Sequence, residues 1–409
     1  MAAAITAGAA VPASAAPHTA WVGTWAASPQ QPSAVLSGPT DPSVVGFANQ
    51  TVREIVHISI GGSAIRLRLS NTFSGRAVTI GDATAAAQGS GAALAGQSAR
   101  VTFDGRRGVV LPAGGSVLSD LVPLHVSPLE NVTVSLFFPT ATGPTTDHSL
   151  AEQLNYVSTP GDHVSDPTAQ PFTQNTFSWY YLSGVDVRPL PDTQRAVVTF
   201  GDSITDGFQS TAGTNSRWPD VLARRLIAAH RPTGVLNEGI SGNRVLNPSV
   251  CFGISALSRL NADVLDQARQ ADAHTVVLLE GINDLGFPTQ PNSGCTAPNT
   301  FVTAQQVING YRQIIAAAHQ HDMRIIGATL TPAGGSFYST PTVESERQTI
   351  NSWIRNSHAF NGVIDFDKAV RDPANPARLL PADDSGDHLH PNDAGYATMA
   401  NAINLALLD

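Results

Sequence analysis

Apolar and polar residues alternate over short runs from position 21 to position 187. In TVREIVHISIGGSAIRLRLSNTF, Val52, Val56, Ile58 and Ile60 fall largely at even spacing, and Ile65, Leu67 and Leu69 alternate with Arg66 and Arg68. A period of two puts successive side chains on opposite faces of a strand, and Gly61-Gly62-Ser63 supplies a turn, so this stretch predicts a hairpin with one wet face. Further strands are predicted at 77–80, 99–103, 108–111, 131–138 and 179–187, separated by Gly, Pro, Asp and Ser. Several short strands with turn signals between them predict a β-sandwich or jelly roll.

The pattern changes at DVRPLPDTQR, where two prolines among polar residues predict a linker at 188–195. Beyond it, short apolar runs at 196–200, 234–238, 274–280, 323–330 and 362–366 alternate with helix-like segments at 218–229, 255–271, 304–321, 343–357 and 393–408. Strand alternating with helix predicts a parallel sheet covered on both faces. In such sheets reactive groups gather in the crevice at the carboxyl ends of the strands. A chain of 409 residues is longer than one hydrophobic core usually serves. Two domains are therefore expected, an all-β domain at 21–187 and an α/β domain at 196–409, joined by the linker 188–195.

Composition narrows the partners. Apolar content of 42% and charged content of 13%, with abundant Gly and Pro, suit a globular protein rich in turns. The net charge of -9, with Lys368 the only lysine, leaves no basic footprint for nucleic acid. The opening MAAAITAGAAVPASAAPHTA has a small apolar tract and an Ala13-Ser14-Ala15 sequence like the end of a secretion signal, without a basic residue ahead of it. Residues 1–20 are thus expected to be a shortened signal peptide or a flexible Ala-rich terminus, and the mature protein to be secreted. No stretch reaches the roughly 18–20 uninterrupted apolar residues of a membrane span.

Cys251 and Cys295 are the only cysteines. In an exported protein they are candidates for a disulfide, which on the chain-entropy account would stabilise the fold by roughly 4 kcal/mol; two buried free thiols are the alternative. Neither sits in a Cys-x-x-Cys or Cys/His cluster, so no metal is expected.

Four motifs fall at or just beyond predicted strand ends or near the C-terminus. In TFGDSITDG, Ser203 stands at a strand-to-helix turn, where it is either a nucleophile facing the crevice or a helix cap. In NEGISGNRV, Gly242 either lets the backbone present its N–H to a substrate or is an ordinary turn glycine. In LLEGINDLG, the Asn283 amide is a donor suited to an oxyanion, although Asn-Asp is also common loop chemistry. In DDSGDHLHPNDAGY, Asp387 and His390 are three apart in a turn. The carboxylate can then hold one ring nitrogen and leave the other free to take a proton, a match that His388 lacks.

Taken in order, Gly-Asp-Ser, Gly, Gly-x-Asn-Asp and Asp-x-x-His-Pro resemble the blocks of the SGNH hydrolases, also called the GDSL esterase/lipase superfamily. The resemblance runs from Val197 to the C-terminus, about half the chain. It implies a flavodoxin-like three-layer α/β/α domain that hydrolyses esters with no metal or other cofactor. It further implies Ser203 as nucleophile and oxyanion donor, Gly242 and Asn283 as the other donors, His390 as general base then acid, and Asp387 as its orienting carboxylate. Compact members have no large β domain ahead of the serine; TWAASPQ and YVSTPGDH are similar to segments of two-domain secreted bacterial members.

The function expected is a serine esterase acting on short-chain acyl or acetyl esters of polar or carbohydrate alcohols, with a small-molecule or polysaccharide ester as substrate. The loops 243–253 and 285–300 are expected to border the substrate; the second is rich in Pro, Asn, Thr and Gly with few large apolar groups, while Phe252 and Phe287 support the alternative of a lipid acylhydrolase. An alternative of another class is a carbohydrate-binding or adhesive protein with a vestigial hydrolase domain. Its platform would be Trp21, Trp25, Trp179, Tyr180 and Tyr181, although aromatics at strand spacing are more often core.

Overall fold

A computed structural model describes residues 21–408 of the chain. The signal-like or flexible segment expected at 1–20 lies outside the described residues. Residues up to Pro189 form two main antiparallel sheets. One has four strands in the order Val22–Ala26, Leu182–Pro189, Gly62–Ser70, Ser116–Leu118. The other has six, in the order Phe172–Thr176, Asn155–Pro160, Gln50–His57, Asn131–Phe138, Asp82–Gln88, Leu94–Arg100. Alternate residues of both, among them Val52, Val56, Val132 and Leu136 from the larger and Ile65, Leu67, Val185 and Val187 from the smaller, join one buried cluster. That is the packing of a β-sandwich.

The hairpin expected from Val52 to Leu69 does not form. Gln50–His57 pairs with Asn131–Phe138 and Asn155–Pro160, whereas Gly62–Ser70 pairs with Leu182–Pro189 and Ser116–Leu118, so the chain crosses between sheets at 58–61. Ser59 fastens the corner by donating its hydroxyl to the Thr24 carbonyl at 2.6 Å. The expected wet face is also covered. Arg66 and Arg68 pair with Asp186 on the neighbouring strand at 2.9 and 3.3 Å, and both reach the helix Asp266–Gln270 of the second region: Arg66 donates to the Gln270 carbonyl and Arg68 to the Gln267 side chain. Carboxylate and carbonyl oxygens meet the two guanidiniums there, Arg68 buried and Arg66 partly so.

The second region is a five-stranded, wholly parallel sheet in the order Thr233–Gly239, Gln194–Gly201, Ala273–Leu279, Arg324–Ala328, Gly362–Ile364. Its strands are buried on both faces, as continuous runs such as Val197-Val198 and Val276-Val277-Leu278-Leu279 require. Trp218–Ala228, Ala304–Gln320, Pro341–Asn356 and Asp393–Asn401 are its main helices. The predicted helix 255–271 is continuous but widens to one π turn at Asn261–Leu265. The strand that starts the region lies between the second and third in chain order, which makes its carboxyl end a topological switch point.

Leu182–Pro189 and Gln194–Gly201 leave only 190–193 between them, so the expected linker 188–195 shortens to a four-residue connection. The prolines end one strand without separating the regions. Gly23 donates its N–H to the Ala271 carbonyl at 2.8 Å, and a Cβ on Gly23 would lie 2.7 Å from that of Ala271 and 2.9 Å from Leu236. One hydrophobic cluster runs through both regions. Gly23→Val is therefore expected to cost about 1–3 kcal/mol by overpacking the seam. Urea unfolding followed by near- and far-ultraviolet circular dichroism should give coincident transitions in the wild type; two separated transitions would mean that the seam does not couple the regions.

Candidate active site

The first parallel strand ends at Gly201, and the chain turns at once into the short helix Ser203–Asp206. Its cap is Asp202, whose carboxylate accepts the Ile204 N–H at 3.0 Å, so Ser203 is not needed for that purpose. The buried Ser203 places its Oγ 2.8 Å from Nε2 of His390. On the other side of the ring, Nδ1 lies 2.6 Å from Oδ2 of Asp387. The second oxygen of Asp387 accepts the N–H groups of Leu389 and His390 at 2.9 and 2.8 Å and the Ser385 hydroxyl at 3.1 Å. Burial pushes the Asp387 carboxyl up, but the hydrogen bond and charge of His390 and the two N–H groups outweigh it and hold the acid well below the ordinary carboxylate range. His388 turns outward to Asp384, at 2.5 Å.

Gly242 has φ +74, and a Cβ there would stand 2.4 Å from Cγ of Phe252, so both the backbone and the ring above it demand glycine. Asn283 lies in the helix Ile282–Gly286 just past the third strand in chain order, buried. Its Oδ1 accepts the Tyr338 hydroxyl at 2.9 Å and its Nδ2 donates to the Asn243 carbonyl at 2.9 Å, which fixes the amide's orientation and leaves one amide hydrogen unused. The N–H groups of Ser203 and Gly242 donate to no described residue. Asp206 fastens the glycine turn to the serine helix: its Oδ2 accepts the Ser241 N–H at 3.0 Å and hydroxyl at 2.7 Å. Thus Ser203, His390 and Asp387 form one hydrogen-bonded line, and Gly242 and Asn283 are joined through Asn243. Cys251 and Cys295 are disulfide-bonded, linking the loop after Gly242 to the loop after Asn283.

A layer of buried charge lies under these turns. Arg259 donates to the carbonyls of Gly201 and Glu238, at 2.8 and 2.7 Å, to the Asn243 side chain at 2.9 Å, and to Asp263 and Ser28 at 3.0 Å each. Around it, burial and the neighbouring Asp284 charge push Asp202 up to about 7, against the pull of the Ile204 N–H and Arg259. Burial pushes Asp284 up to about 6, although it accepts the N–H groups of Val245 and Leu246. Neither oxygen of Glu280 has a hydrogen-bond partner, and burial raises this acid too. Asp206 and Ser241 lie inside two of the motifs, but no spacing marks them, Arg259 or Tyr338 as part of the site.

Asp202 sets a pH dependence. Its pKa in the fold exceeds the unfolded value, so its contribution to stability is complete below the ordinary carboxylate range and is lost as pH rises from about 4 to about 7. Asp202→Asn keeps a capping oxygen but cannot ionise. The decline of Tm between pH 5 and pH 8 should be shallower in this variant than in the wild type; equal slopes would show that Asp202 stays ionised in the fold.

Residues 199–398 match the model of the GDSL-like lipase/acylhydrolase family. No curated protein sequence matches the chain. Solved structures similar to it include a lipase/acylhydrolase from Enterococcus faecalis, 21% identical over 51% of this chain and 93% of that one, with a TM-score of 0.39. Another is an acetylxylan esterase from Geobacillus stearothermophilus, 21% identical over 53% of this chain and 94% of that one, TM-score 0.39. A third is a GDSL-like lipase from Bacteroides thetaiotaomicron, 19% identical over 52% and 87%, TM-score 0.38.

Proposed function

We propose, from the premise that the α/β half of this chain belongs to the GDSL-like lipase/acylhydrolase family and that the protein is a serine ester hydrolase, that Ser203 is its nucleophile and that the substrate is a short-chain acyl or acetyl ester of a polar or carbohydrate alcohol. The observation that carries the assignment is the unbroken line from Ser203 Oγ through the His390 ring to Asp387, with contacts of 2.8 and 2.6 Å.

The chemistry follows from that line. The Ser203 oxygen attacks the ester carbonyl while its proton passes to Nε2 of His390. Asp387 accepts the Nδ1 hydrogen, which fixes the tautomer and stabilises the ring once it is charged. The negative oxygen of the tetrahedral intermediate takes hydrogen bonds from the N–H groups of Ser203 and Gly242 and from the spare amide hydrogen of Asn283. Collapse expels the alcohol, which takes the proton back from Nε2. Water then attacks the acyl-enzyme by the same route and releases the acid.

A short acyl group is supported by what fills the space beside the oxyanion donors. Ile282, Phe287, Ala333, Tyr338 and Leu389 form a closed cluster with Phe252 against it. Phe287, one of the two residues favouring a lipid, is thus committed to packing, and Phe252 covers Gly242. The sugar-platform alternative loses Trp25, Trp179, Tyr180 and Tyr181, which are all buried in the core. The disulfide suits an oxidising compartment, in keeping with secretion.

Hydrolysis of 4-nitrophenyl esters from acetyl to palmitoyl tests the reading. Activity should be greatest on the shortest chains and vanish in Ser203→Ala; a maximum at long chains would transfer the assignment to a lipid acylhydrolase. Asn283→Ala should fold normally and turn over about 10²–10³-fold more slowly. Near-normal turnover in that variant would remove Asn283 from the oxyanion site.

A further inference from the structure

His148 belongs to the β region, on the two-residue strand Asp147–His148, yet it is buried against the serine helix of the other half. Its Nδ1 lies 2.9 Å from the Ser28 carbonyl and its Nε2 lies 3.2 Å from Oδ1 of Asp206. Oδ1 of Asp206 is an acceptor, so a hydrogen on Nε2 completes that contact. Asp206 therefore has two duties. One oxygen takes His148, and the other takes the N–H and hydroxyl of Ser241, the residue before Gly242.

We infer that His148 is a positioning residue for the oxyanion-binding turn, acting through Asp206 and Ser241; this rests on the assignment of Gly242 as an oxyanion donor. Asp206 is the last residue of the helix that begins with Ser203, so its carboxylate sets the distance between the nucleophile and the glycine turn. Without His148, Oδ1 of a buried carboxylate would have no donor, and the group would rotate toward whatever donor it could reach. Ser241 and Gly242 would move with it. The His148 ring is itself held, tilted against Trp179 with centroids 5.5 Å apart.

The same loop grips the chain just after the serine helix. Gly213 donates its N–H to the Glu152 carbonyl at 2.9 Å, and Arg217 donates to the Ala151 carbonyl. Ser28, whose carbonyl takes His148, also donates its hydroxyl to Glu238 at 2.7 Å and accepts from Arg259 at 3.0 Å. The β region thus underlies the reactive turn as part of its scaffold. Displacements on the order of 1 Å in such a support cost about 10²-fold in rate.

The test uses the full chain and compares His148→Leu, which fills the space without a donor, with His148→Gln, which can still donate to Asp206. On 4-nitrophenyl acetate, His148→Leu should lower kcat by about 10- to 100-fold with KM within about 2-fold, and His148→Gln should recover most of the loss. Wild-type kcat in both variants, equal loss in both, or a rise in KM alone would overturn the inference. If His148→Leu does not fold, Ser241→Ala decides: a loss in kcat of several-fold without a change in KM is expected, and unchanged kcat overturns it. Activity retained in Ser203→Ala would instead defeat the underlying assignment, whatever the His148 variants do.

Discussion

The guanidinium of Arg259 is the point on which the reactive end of the molecule depends. It binds the last carbonyl of the first parallel strand at Gly201, the Glu238 carbonyl of its neighbour, the side chain of Asn243 in the glycine turn, and Ser28 of the β region. Its plane lies over the Phe200 ring at 4.1 Å. Five donors in a rigid fork suit one residue to tie four segments, a task that a lysine's point charge could not perform. Burying such a cation is costly unless it is paired, and Asp263 at 3.0 Å supplies the pairing. Two strand ends, the glycine turn and the β region are thereby fixed relative to one another before any substrate arrives.

The parallel half was largely legible in the sequence. Its strands are buried on both faces, and so they stand out as apolar runs between amphipathic helices; each predicted strand overlaps an observed one. The β half was legible as strands but not as pairings. Alternation in Val52 to Leu69 reveals which face each residue takes, yet it says nothing of which strand lies alongside, and a change of sheet at 58–61 reads the same as a hairpin turn. Asp82–Gln88 escaped notice because DATAAAQ has no β-branched or aromatic residue beyond Thr84; its alanines fit a strand only because larger neighbours cover them. The single strand predicted at 179–187 is broken at Tyr181, where φ is +61.

The same distinction separates the candidate site residues. Asp387 and His390 meet within one turn, so spacing alone suggested their partnership. Tyr338 holds Asn283 across 55 positions, and His148 reaches Asp206 across 58. Contacts of that kind depend on how elements pack, and no local pattern encodes them. What the sequence offered was the set of groups at strand ends; what it withheld was the set of groups that hold them still.

The charge layer bears on how the proposed site would meet a developing anion. Asp202 and Glu280 lie near Arg259 and Asp284 near Arg244, and three ionised carboxylates there would oppose a negative charge forming at Ser203. Burial works against that outcome, because it disfavours the charged form and raises all three acids. The N–H groups at the start of the serine helix add their own positive potential. The acids also serve as hydrogen-bonding supports, Asp202 for Ile204 and Asp284 for Val245 and Leu246. The exposed end of the line is handled in the opposite way: N–H donors and the His390 ring hold Asp387 low, so its negative charge lies beyond the imidazole, on the side away from Ser203.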